Sequence, residues 1–192
     1  KISHYTSMSQ SMNHRELPYP YQQDEASCGP ATLALAARHY GIPEWDEAYF
    51  RGQLQVSEHQ GTSNAELARV AQEHFVCTEK HPATPSELVL AIQAGRTAIV
   101  NFLIRGKPYQ PQRGVYVPLT NEELQAKENL EGHFALVKGR ANAHLIMDDP
   151  SLHLGPDLNM PLAELKRRWR ARYEEYRQWM LVLEGRRALS AV

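Results

Sequence analysis

The chain has 192 residues, with 21 basic and 22 acidic side chains and a formal net charge of −1. This balance argues against a domain that binds nucleic acid through a general basic excess. Hydrophobic residues make up 42% of the chain, enough for one core, and the apolar runs are far shorter than the roughly 20 residues of a membrane span. We therefore expect a flexible polar arm at 1–16 and one domain at 17–192, without a membrane span.

The first half of the sequence predicts helices. Good helix formers follow Cys28, in ATLALAARHYG, so Cys28 is expected at a helix start. A second predicted helix is capped by Thr62 or Ser63 and has Phe75 on its inward face. A third is predicted to begin at a Ser86 cap.

After these helices the pattern changes to that of strands. The runs RTAIVNFLI, GHFALVKGR, NAHLIMDDP and RQWMLVLEG are short, apolar and bounded by turn residues. Helices followed by strands predict an α+β fold, in which an N-terminal helical half packs on a C-terminal antiparallel sheet. A late amphipathic helix is predicted through Leu162, Leu165, Trp169 and Tyr173 or Tyr176. The long polar segment 105–131 is expected to be an insertion that shapes or covers a cleft.

Cys28 has the surroundings of a reactive thiol. A helix start favours a thiolate, through the helix dipole and the unpaired backbone N–H groups. Gly29 allows close approach of the backbone to a substrate, and Pro30 is tolerated in a first helical turn. The alternative is a buried cysteine that acts as a small apolar side chain. The other cysteine is Cys77, and we expect the two not to form a disulfide.

His133 and Asp149 are the expected partners of this thiol. His133 stands at the head of one predicted strand, and Asp149 ends the next strand. An antiparallel pair joined by a turn at 139–143 would bring the two side chains together, so that the carboxylate could orient the imidazole. Taken singly, each has an ordinary explanation, as a hydrogen-bonded strand histidine and as a turn before Pro150. Together with Cys28 they predict nucleophilic catalysis.

Four motifs of the sequence carry a resemblance to a known family. They are QQDEASCGPA around Cys28, GTS at 61–63, GHFALV at 132–137 and the pair Asp149–Pro150. Over about residues 17–183 the chain resembles the papain-like bacteriocin-processing (double-glycine leader) peptidases and their stand-alone relatives. The resemblance implies a papain-like cysteine peptidase fold, with Cys28 as the nucleophile, His133 as the base, Asp149 as the orienting carboxylate and Gln22 as an oxyanion donor.

Two neighbouring residues leave the assignment open. Gln23 follows Gln22 and Asp148 precedes Asp149, and neighbours in an extended segment point to opposite faces. The family spacing favours Gln22 and Asp149.

The expected activity is hydrolysis of a peptide or isopeptide-like amide bond, with no cofactor and no nucleic-acid partner. The alternatives are an acyl transferase or deamidase that uses the same cysteine, and a non-catalytic domain of this fold that binds peptides. The sequence has no GxxxxGK[ST] phosphate loop, so nothing in it couples cleavage to ATP-driven export. The first residue is Lys1, which permits an exported bacterial protein; a cytoplasmic location and any oligomeric state stay open.

The sequence suggests two other kinds of site, for zinc and for nucleic acid, with weaker support than the cysteine site. His74, Cys77 and His81 form an H-x2-C-x3-H cluster with ligand types that suit zinc, but they supply only three ligands. The segment KRRWRARYEEYR mixes basic and aromatic residues, as nucleic-acid sites do. Its two glutamates and the neutral chain favour a solvated helix with Trp169 docked on the core.

Overall fold

The computed structural model describes residues 18–54, 56, 61–106, 114–126, 128–169 and 178–187. This part of the chain forms six helices and six strands. The helices are α1 (Cys28–His39), α2 (Glu47–Leu54), α3 (Asn64–His74), α4 (Pro85–Gln93), α5 (Asn121–Ala126) and α6 (Leu162–Arg168). The strands are β1 (Phe75–Lys80), β2 (Thr97–Arg105), β3 (Leu130–Ala141), β4 (His144–Asp149), β5 (Gly155–Pro161) and β6 (Met180–Arg186).

The strands form one antiparallel sheet in the order β1-β6-β2-β3-β4-β5. The four strands predicted from the sequence are β2, β3, β4 and β6. The β3–β4 hairpin pairs Ala141 with His144, so its turn is only Asn142 and Ala143, tighter than the predicted turn over 139–143. Asn142 has a φ of 55°, a left-handed conformation that asparagine tolerates better than most residues.

Helices cover both faces of the sheet. The first core cluster joins α1, α2 and α3 to side chains such as Ile99 and Leu136. The second joins α4 and α6 to the alternate positions, such as Val100 and Val137. Side chains along a strand alternate between the two faces, and both sets are apolar here because both faces are buried. The predicted α+β arrangement is confirmed, and the second helical layer was not foreseen.

The structure tests the predicted caps of α3 and α4. Ser63 caps α3 in a capping box with Glu66, so Ser63 and not Thr62 has this role. The predicted Ser86 cap of α4 is wrong, because Thr84 accepts the N–H of Glu87 and Pro85 takes the first turn. Proline is favoured at the first helical position, since its missing N–H would have had no partner there.

Strands β1 and β5 were missed by the sequence analysis. Phe75 was expected on the face of α3 but is the first residue of β1, where it pairs with Arg186. This pairing joins segments far apart in the chain, so the local helical pattern did not reveal it. The β5 sequence GPDLNMP looks like a turn, and prolines are tolerated there because β5 is an edge strand.

Some expectations fall partly beyond the described residues. The arm at 1–16 lies outside them, as do Tyr173 and Tyr176 of the late helix. The described part of that helix is α6, which ends at Arg168 with Trp169 buried after it. None of the described helices is long and apolar enough to cross a membrane.

Candidate active site

Cys28 is the first residue of α1 and is only 7% exposed. The preceding Ser27 does not cap the helix with its side chain; its Oγ lies 3.1 Å from both the N and the O of Asp24. The N–H groups of the first turn have no acceptor within the helix. Cys28 therefore lies at the positive end of α1, as the sequence predicted.

His133 joins Cys28 to Asp149. It is the fourth residue of β3 and is 3% exposed. Its Nε2 lies 3.0 Å from each carboxylate oxygen of Asp149, and the side chain of Cys28 is near enough to its ring to raise the pKa of His133. Because Nε2 is engaged by Asp149, Nδ1 is the nitrogen left to exchange a proton with the sulfur.

The electrostatics of the site favour a protonated imidazole. Burial lowers the pKa of His133, but the charge and hydrogen bond of Asp149, together with Cys28, outweigh burial and raise this pKa to about 10. A cation beside a thiol stabilises the thiolate. The arrangement therefore places an imidazolium beside the sulfur of Cys28.

Asp149 is fully buried and tightly held. Its Oδ1 accepts the backbone N–H of Ser151 at 2.8 Å, its Oδ2 accepts a short hydrogen bond from the Tyr116 hydroxyl, and its main-chain oxygen accepts from Tyr19 Oη at 3.0 Å. The contacts with Ser151 and Tyr116 fix the carboxylate toward His133, and the contact with Tyr19 holds the main chain.

Asp148 has different partners. Its Oδ1 lies 2.7 Å from Lys138 Nζ and accepts the N–H of Asp157 at 3.0 Å. Of the two neighbouring aspartates, Asp149 is thus the one beside His133.

Gln22 is attached to the same region through its backbone. Its N–H donates to Pro150 O at 2.8 Å, one residue beyond Asp149. Its Nε2 donates to Asp24 O at 2.9 Å, which uses one of the two amide hydrogens. Gln22 and Gln23 both border the cleft, but Gln23 is exposed, whereas Gln22 Oε1 is buried and has no hydrogen-bond partner among the described residues.

Two clefts meet at Cys28. The cleft beside His133, which we call the main cleft, has a volume of about 570 Å³ and is bordered by Gln22, His133, Tyr116, Val115 and Leu152. The second cleft, about 620 Å³, is bordered by Thr62, Asn64, Asn101 and Gly132. A chain laid across both would pass over the sulfur.

A contact within the protein leaves no room for a side chain at Gly29. A Cβ on this residue would lie 2.5 Å from Thr62 Oγ1 and 2.7 Å from Thr62 Cβ. From the sequence, this glycine is expected to allow close approach to a substrate; in the structure the close contact is with Thr62.

Gly29→Ala is expected to lower the free energy of unfolding by about 1–3 kcal/mol, because the methyl group overpacks this contact. Urea unfolding measures the effect. Gly52→Ala in α2 is the matched control, since a Cβ there meets nothing within 4 Å. Equal stability of the two variants would contradict the packing of Thr62 on α1.

The second cysteine and its neighbouring histidines are arranged differently. Burial raises the pKa of Cys77 to about 11, and both cysteines are free thiols. His74 Nε2 pairs with Gln53 Oε1 at 2.7 Å, and the His74 ring packs on Trp45. The described residues contain no group of three or more potential ligands placed to hold a metal ion.

Sequence reasoning missed three residues around the site. Tyr116 and Ser151 hydrogen-bond the carboxylate of Asp149, and Thr62 packs on the residue after Cys28. Within the GTS motif, Thr62 was considered only as a possible helix cap. Tyr116 stands in a polar segment without periodicity, so no local signal marked it.

Comparison with known proteins places this fold among the cysteine peptidase domains. Residues 16–109 match the model described as the Peptidase C39 family. The predicted resemblance is confirmed as a resemblance to the Peptidase C39 family. The matched range includes Gln22 and Cys28 and ends before His133. No curated protein gives a significant match.

Three solved structures share the fold. The peptidase domain of Streptococcus ComA, a bifunctional ABC transporter involved in a quorum-sensing pathway, is 21% identical, with 88% of this chain and 99% of that chain covered and a TM-score of 0.59. A protein described as a C39-like peptidase from Bacillus anthracis is 13% identical, with coverages of 89% and 96% and a TM-score of 0.60. A double-glycine motif protease from an AMS/PCAT transporter, in complex with the leader peptide, is 17% identical, with coverages of 86% and 90% and a TM-score of 0.51.

Proposed function

We propose that this protein is a cysteine peptidase that hydrolyses a peptide or isopeptide-like amide bond through a thioester intermediate. One observation carries the proposal: Asp149 holds His133 against the side chain of Cys28 at the start of α1. Cysteine catalysis needs a nucleophile, a base and a carboxylate that orients the base, and these three buried side chains supply them in this order.

The chemistry follows from the geometry. The Cys28 thiolate attacks the carbonyl carbon, and the negative oxygen of the tetrahedral intermediate receives hydrogen bonds from the Cys28 backbone N–H and the second amide hydrogen of Gln22. The C–N bond breaks as the His133 imidazolium protonates the leaving amine, which leaves a thioester. His133 then takes a proton from water, the hydroxide adds to the thioester, and the carboxylate product leaves as the thiolate returns.

The substrate is a polypeptide that enters the main cleft in an extended form. Val115 and Leu152 are among the large apolar side chains exposed on the described surface, at 48% and 61%, and both border this cleft. They support contact with an apolar substrate side chain near the scissile bond. The complex of the transporter protease with its leader peptide supports a peptide substrate in the same fold.

A peptide library digested by the wild-type protein and by Cys28→Ala tests the proposal. Mass spectrometry separates the candidate reactions, since hydrolysis gives two fragments with the gain of one water. Deamidation converts one side-chain amide to an acid without chain cleavage, and transfer yields a new amide. Cleaved fragments in the wild-type digest alone support the peptidase; binding without any product would favour a peptide-binding domain.

A further inference from the structure

Tyr116 is a buried tyrosine whose hydroxyl reaches the active-site carboxylate. It lies in the expected 105–131 insertion, is 9% exposed, and donates a short hydrogen bond to Asp149 Oδ2. Its ring stands edge-on to Phe102, which in turn packs on the ring of His133. The insertion therefore supplies a group to the site in addition to bordering the cleft.

Helix α6 holds the segment that carries Tyr116. The guanidinium of Arg168, itself 2% exposed, lies 5.7 Å from the centre of the Tyr116 ring and donates to Val117 O. Glu164 Oε1 accepts from Arg168 Nε at 2.8 Å and from Leu119 N at 3.0 Å. These contacts hold the ring of Tyr116 and the chain that follows it against α6.

The phenol and the imidazole share one carboxylate. Asp149 Oδ2 accepts from Tyr116 and lies 3.0 Å from His133 Nε2. Burial and the charge of Asp149 raise the pKa of Tyr116, so the hydroxyl keeps its proton and stays a donor at working pH. A donor on a carboxylate stabilises its negative charge and reduces the charge left to act on the other partner.

We propose that Tyr116 is a positioning residue of the active site, which fixes the Asp149 carboxylate and moderates its pull on the His133 proton. This inference rests on the proposed function, because it assumes that the proton of His133 is used in catalysis. Besides Tyr116, the titratable and charged groups around the pair are Cys28 from α1, Arg168 from α6 and Tyr19, which reaches the main-chain oxygen of Asp149.

Tyr116→Phe tests the role, because phenylalanine keeps the ring packing and removes the hydroxyl. With the full charge of Asp149 acting on His133, the pKa of the imidazolium is expected to rise by about half a pH unit or more. A positive imidazolium beside the sulfur attracts the anionic reagent iodoacetate, which speeds its reaction with Cys28 relative to that of the neutral reagent iodoacetamide. The ratio of the iodoacetate rate to the iodoacetamide rate therefore falls at the pH where the imidazolium loses its proton. The measurement follows this ratio from pH 8 to pH 11.5 in a Cys77→Ser background, by peptide mass spectrometry.

Tyr19→Phe is the matched control, since it removes a tyrosine hydroxyl from the main chain of Asp149 and leaves the carboxylate contacts in place. The pH at which this rate ratio falls should be higher in Tyr116→Phe than in the wild type, and it should be unchanged in Tyr19→Phe. An unmoved fall in Tyr116→Phe, with near-ultraviolet circular dichroism like that of the wild type, overturns the role of Tyr116. A rate ratio that does not change with pH in the wild type would instead contradict the ion pair between Cys28 and His133, on which the proposed function depends.

Discussion

Cys28→Ala is expected to reduce peptide hydrolysis by at least about a thousandfold, because it removes the only nucleophile beside His133 within the described site. The rate of appearance of cleaved peptide, measured at pH 7.5 on a substrate from the library, gives the result. Cys77→Ala is the matched control and should keep the wild-type rate. Hydrolysis that survives in Cys28→Ala would place the chemistry elsewhere.

The reactivity of the two thiols should differ in the same sense. Burial raises the pKa of Cys77 to about 11, so its thiolate is scarce at neutral pH. Iodoacetamide or an epoxysuccinyl probe should therefore modify Cys28 first, and His133→Ala should slow that reaction. Equal labelling of Cys77 would argue against an activated thiolate at Cys28.

Asp149→Asn is expected to reduce hydrolysis at pH 8 by about a hundredfold or more, because an amide cannot hold a proton on His133. With the carboxylate charge gone, burial is the main remaining influence and lowers the pKa of His133. The alkaline fall of the pH–rate profile should then move from near pH 10 toward and below neutrality. The profile of the hydrolysis rate over pH 5 to 11 measures both changes.

The neighbouring aspartate provides the control for this experiment. Asp148 is paired with Lys138 and with the N–H of Asp157, so Asp148→Asn removes the same charge one residue away without touching His133. Its pH–rate profile should match that of the wild type. If both variants shifted the profile equally, the effect would be one of general charge and the orienting role of Asp149 would fail.

The same ion pair links the stability of the protein to pH. The pKa of His133 is about 10 in the folded protein and near 6.5 in an unfolded chain. A histidine with a raised pKa contributes stability that is fully present below its unfolded pKa and is lost as the pH rises through its folded pKa. The loss of stability that Asp149→Asn causes should thus be larger at pH 6 than at pH 11, as urea unfolding at both values will show.

Much of the fold could be predicted from local sequence. Helix formers after Cys28, the capping signal at Ser63 and the apolar runs of β2, β3, β4 and β6 act over a few residues, so they are visible without a structure. Strand β1, which begins at Phe75, could not be predicted in this way. Its pairing with β6 depends on residues a hundred or more positions away.

By itself, the sequence determined that a cysteine starts a helix and that His133 and Asp149 stand in successive strands of one hairpin. These facts follow from short-range propensity and from the alternation of side chains along a strand. Only the tertiary structure paired Asp148 with Lys138, set Thr62 against Gly29, and brought Tyr116 to the carboxylate of Asp149. Such contacts depend on where loops and α6 pack, and no local pattern along the chain encodes that packing.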